Sequence, residues 1–105
     1  MKMKRAEYCI NVLSVAEYPK VNGWIEEVTD SRGNTLTIGY DKRGKNCWIS
    51  TELITGFSCN TKQCRTKTEC IEDVHNNIDL IVDVCNKRKN DSQYYIRYIQ
   101  PFIYR

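Results

Sequence analysis

A chain of 105 residues with 41% hydrophobic and 28% charged side chains has the composition of an ordinary globular protein, which excludes a disordered or low-complexity polymer. The length gives one domain, residues 1–105, since domains usually hold about 100–150 residues. A net charge of +3 permits an acidic or nucleic-acid partner without demanding one, and no run approaches the roughly 20 apolar residues of a membrane span.

The basic start "MKMKR" is followed by a stretch broken by Asn11 and Glu17, so no signal peptide is expected. The chain therefore reads as intracellular and cytoplasmic, with no membrane contact. Its six cysteines then read as thiols, because the cytosol keeps them reduced.

Taken in chain order, residues 7–15, "EYCINVLSV", alternate around Tyr8, Ile10, Val12 and Val15. They predict a first strand that Pro19 closes. "NGW" at 22–24 signals a turn, with a second strand in "WIEEVT". The loop "DSRGN" leads to "TLTIGYD", where Leu36, Ile38 and Tyr40 fall on one face. A further turn, "DKRGKN", precedes a short strand "CWIS". Strands joined by Gly-containing loops make an antiparallel meander.

Beyond "TELITGF" the period changes. Thr66 and Glu69 have capping-box spacing. Ile71, Val74, Ile78, Ile81, Val82 and Cys85 recur every three or four residues, while Glu69, Asp73, Asn76, Asp79 and Asp83 fall on the other side. One amphipathic helix of about five turns is predicted. Asp83 and Lys87 add an i,i+4 pair, and "KRK" at 87–89 complements the negative end of the helix dipole. "YYIRYIQPFIYR" at 94–105 reads as a last strand, with Pro101 at an edge. The expected fold is α+β: a curled antiparallel sheet of four or five strands, one long amphipathic helix and a C-terminal strand.

Residues 21–54 resemble Tudor and chromo-type small barrels, in the aromatic Trp24, the strand ending "GYD" and the segment "NCWISTEL". The resemblance implies an SH3-like meander and a reader of methylated lysine peptides. Its aromatic cage, holding the cation by cation–π attraction, would be Trp24, Tyr40 and Trp48. Read by parity alone, Tyr40 instead joins Leu36 and Ile38 on the core face.

Cys59, Cys64, Cys70 and His75 stand with four, five and four residues between them, which resembles a CCCH zinc finger. That resemblance implies Zn2+ and single-stranded RNA, with Lys62, Arg65 and Lys67 as phosphate contacts. Two features oppose it. On a helix starting near Lys67, Cys70 and His75 point about 140° apart. No aromatic residue lies between the ligands to stack a base. The main expectation is no cofactor.

One histidine, no nucleophile elbow, no phosphate loop and no C-x-x-C pair argue against an enzyme. The carboxylates of "IEEV" and "ECIEDV" read as solvated. The expected function is non-catalytic binding through a protein-contact surface, as an adaptor or as an inhibitor of a host factor. Tyr94, Tyr95, Tyr98 and Phe102 are candidate contacts, and the last strand could pair in a homodimer. The wealth of Lys, Asn, Ile and Tyr fits an AT-rich phage, viral or mobile-element gene.

Overall fold

In a computed structural model, described over residues 3–10 and 19–90, four strands form one antiparallel sheet. They are β1 (Lys4–Cys9), β2 (Lys20–Thr29), β3 (Thr35–Gly44) and β4 (Cys47–Glu52), in the spatial order β1-β2-β3-β4. The expected meander is present, with its borders moved. β1 begins at Lys4, and residues 11–15 of the expected first strand lie outside the described residues. The "NGW" turn is not a turn: Gly23 lies inside β2, opposite Ala6. Most of "DKRGKN" belongs to β3, and only Lys45 and Asn46 turn the chain, Asn46 at φ 54°.

Register decides what each face carries. Trp24 pairs with Tyr40, Glu26 with Ile38 and Val28 with Leu36, while Tyr40 faces Ser50 on β4. These side chains share one face because alternate residues of a strand point the same way. The helices α1 (Lys67–Asn76) and α2 (Ile78–Asn90) cover that face. Its core joins Val28, Leu36, Ile38 and Tyr40 to Cys64, Cys70, Val74, Ile81, Val82 and Cys85. A smaller core on the opposite face holds Tyr8, Ile10, Ile25 and Leu53.

The expected single helix is two. Asn77 breaks it, at φ −122° and ψ 19°. Its side-chain Nδ2 donates to the Asp73 carbonyl at 2.8 Å and to Asp73 Oδ1 at 3.2 Å, a local competition with helical hydrogen bonding that asparagine is prone to. The apolar rhythm continues through the break, so Val74 and Ile81 still reach the same core. At the start of α1, Thr66 accepts the Glu69 N–H at 3.1 Å, as the capping box requires. The reciprocal bond is displaced, since Glu69 Oε2 lies 3.4 Å from the Arg65 N–H.

Of the acids expected on the polar face, Asp73 departs from it, and Asp83 stays exposed there but takes a different partner. Asp73 is buried and accepts the Thr61 N–H at 2.9 Å and the Thr61 hydroxyl. It thereby ties the loop before α1 to that helix. Asp83 does not pair with Lys87; its Oδ1 takes Arg32 Nη1 at 2.9 Å.

The β2–β3 loop clasps α2. Ser31 donates its N–H at 2.8 Å and its hydroxyl at 2.6 Å to Asp79. Within the loop, Asp30 accepts N–H groups from Arg32 at 3.0 Å and Asn34 at 2.7 Å, and both side chains as well. Burial alone would raise the Asp30 carboxyl. Hydrogen bonds from Asn34 and then Arg32 outweigh it and bring it down to about 2.

A folded value below the ordinary one of about 3.9 means stability that is fully present above about pH 4. It is lost as pH falls through about 2. Asp30→Asn is therefore expected to flatten the acid limb of the stability–pH curve across that window, measured by urea unfolding. Parallel limbs for the two proteins would contradict the clasp.

The expected strand at 94–105 lies outside the described residues. Among those described, no helix is long and apolar enough to cross a membrane.

Candidate functional site

The three candidate cage aromatics lie on the helix-covered face. Trp24 is half-buried, with the Lys67 ammonium 4.0 Å and the Arg5 guanidinium 5.0 Å from its ring centroid. A cation arriving from outside would compete with the chain's own for this ring. Tyr40 has no exposed surface, and its hydroxyl donates to Glu26 Oε1 at 2.6 Å. Trp48 is half-buried against the main core, and its backbone N–H donates to the Cys64 carbonyl at 2.9 Å. Burial first, and then the hydrogen bond to Glu26, raise the Tyr40 hydroxyl well above the ordinary phenol range.

Glu26, expected to be solvated, is buried. Its Oε1 lies 2.8 Å from His75 Nε2 in addition to receiving the Tyr40 hydroxyl. Its Oε2 is buried with no hydrogen-bond partner among the described residues. The signal for this was in the register: Glu26 alternates with Trp24 and Val28, so it had to face the core. His75 therefore reaches across from α1 to β2.

The three cysteines of the candidate quartet gather around Ser50 instead. Cys59 Sγ donates to Ser50 Oγ at 3.3 Å, and Cys70 lies beside both Cys64 and Ser50. Burial pushes the Cys59 thiol up to about 12 and raises those of Cys64 and Cys70. No disulfide joins any of the six cysteines. Among the described residues, no group of three or more His, Cys, Asp or Glu side chains is placed to hold a metal ion. The ring of His75 faces Glu26.

Tyr94, Tyr95, Tyr98 and Phe102 lie outside the described residues. The exposed apolar surface that can be described lies on α2. Leu80 is 56% exposed and Val84, one turn later, 39%. Both line a groove of about 260 Å3 between α2 and the Ser58–Thr61 segment. Arg88 lines it too, its guanidinium 4.4 Å from the Phe57 ring centroid.

Local structure explains why this stripe is open. Ile81, Val82 and Cys85 turn α2 toward the sheet, and Asp79 and Asp83 turn another side to the β2–β3 loop. Leu80 and Val84 occupy what remains. Reading only the row through Ile81 and Cys85 missed them, although an apolar i,i+4 pair one position earlier is visible in "DLIVDV".

No protein-family model, curated protein or solved structure matches the chain. Its class is therefore defined by architecture alone: α+β, with an antiparallel four-stranded meander and two helices packed on one face.

Proposed function

We propose that this chain is a non-catalytic binding protein whose protein-contact surface is the groove along α2. The carrying observation is the exposed pair Leu80 and Val84 beside a cavity large enough for a bulky side chain. Exposed apolar surface next to a concavity is the form taken by anchor pockets at protein interfaces. The chemistry elsewhere supports binding over catalysis. The single imidazole is engaged by a buried carboxylate, and burial holds the thiols near Ser50 in their protonated, weakly nucleophilic form.

The test is selection of a displayed random-peptide library on the folded chain, with the double variant Leu80→Asp, Val84→Asp as comparison. Enriched peptides are expected to share a bulky apolar residue and to bind the double variant at least about tenfold more weakly. Circular dichroism confirms that the variant keeps its fold, which two exposed positions should allow. Enriched peptides that bind the variant undiminished would place the contact surface elsewhere.

A further inference from the structure

Resting on that reading of α2, we infer that the groove takes a short acidic segment of a partner protein. One bulky apolar side chain of that segment enters between Leu80 and Val84, and carboxylates flank it at the mouth beside Arg88. Three observations lead there.

The first is size. Two partly exposed side chains supply only a fraction of the roughly 800 Å2 that each partner of a stable complex buries. A cavity of about 260 Å3 suits one anchor from a segment better than the broad face of a second copy.

The second is the charge at the mouth. Arg88 lines the groove, Lys62 follows the lining residue Thr61, and Lys87 is exposed at the same end of α2. The acids of α2 are already engaged: Asp79 accepts from Ser31 and Asp83 from Arg32. A carboxylate beside Arg88 would form a charge-assisted hydrogen bond of the stronger kind.

The third is the floor. Glu52 and Asp73 do not line the groove but are buried next to residues that do: Asp73 accepts the N–H of the lining residue Thr61, and Glu52 donates its N–H to the carbonyl of Phe57, one residue before the lining residue Ser58. Their oxygens are engaged by the N–H groups of Ile54 and Thr55, and of Thr61, respectively. A carboxylate entering the floor would meet like charge, so the entering group is neutral and the acids stay at the rim. Rim charges act mainly through orientation and rate of encounter, and salt weakens them.

Three short synthetic peptides test this. They share one central leucine and differ only in flanking residues, which are glutamate, serine or lysine. Binding is followed by fluorescence anisotropy on the folded chain. The glutamate peptide is expected to bind about tenfold or more tightly than the lysine peptide, with the difference shrinking as salt is raised. Arg88→Gln should narrow that difference, and Leu80→Asp should remove binding of all three.

Equal binding of the three peptides, still lost in Leu80→Asp, overturns the acidic partner and leaves the contact surface standing. Binding that survives Leu80→Asp overturns both. No binding by any peptide overturns the inference. Self-association in sedimentation that Leu80→Asp abolishes assigns the groove to a second copy and overturns it as well.

Discussion

Gly23→Ala is expected to destabilise the chain by about 3 kcal/mol, at the upper end for overpacking a filled site. A Cβ at position 23 would lie 2.2 Å from the Tyr40 carbonyl oxygen and 2.7 Å from the Tyr8 hydroxyl. The first of these is backbone of the neighbouring strand, next to the paired residues Trp24 and Tyr40. It cannot retreat without opening the β2–β3 ladder.

Gly39→Ala meets the Tyr8 ring, with Cζ at 2.5 Å. That ring is buried, and its hydroxyl donates to Asp41 Oδ1 at 3.2 Å. A side chain can swing where a carbonyl cannot, so the smaller loss is expected at Gly39. Urea unfolding of the two variants measures the order. A Gly23→Ala protein as stable as its parent would contradict the register of β1, β2 and β3.

Tyr40→Phe is expected to cost about 2 kcal/mol, because it strips a donor from a buried carboxylate and leaves the charge under-satisfied. Glu26 would then keep only His75, whose side chain is 36% exposed while that of Glu26 is fully buried. In a Glu26→Gln background the same substitution should cost less, since a neutral amide tolerates a missing partner better than a carboxylate. A double-mutant cycle isolates this coupling. Equal costs in both backgrounds would show that the hydroxyl does not stabilise the Glu26 charge.

The meander was legible because Leu36, Ile38 and Tyr40 alternate cleanly and because "DSRGN" combines turn-forming residues. Gly23 is ambiguous in the sequence because a glycine after asparagine signals a turn and a close backbone approach with the same letters. Only the partner strands reveal which applies, and Tyr8 and Tyr40 lie 15 residues before and 17 after it. The break at Asn77 was hidden by an apolar rhythm that serves two helices as well as one. The charge of Asp73 points it to solvent, and its partner Thr61 belongs to a loop whose path the sequence does not specify. Glu26 is readable by parity, since it alternates with Trp24 and Val28, whereas its charge alone points to solvent. The groove was readable in part: Leu80 and Val84 show helical spacing, whereas the opposing Ser58–Thr61 wall depends on how the chain returns from β4.

The most direct test of α2 as the contact surface is a 1H–15N titration of the folded chain with a library-selected peptide. Amide shifts are expected to concentrate at residues 58–61 and 80–88. Shifts centred on Trp24 and Trp48, with α2 unmoved, would contradict it.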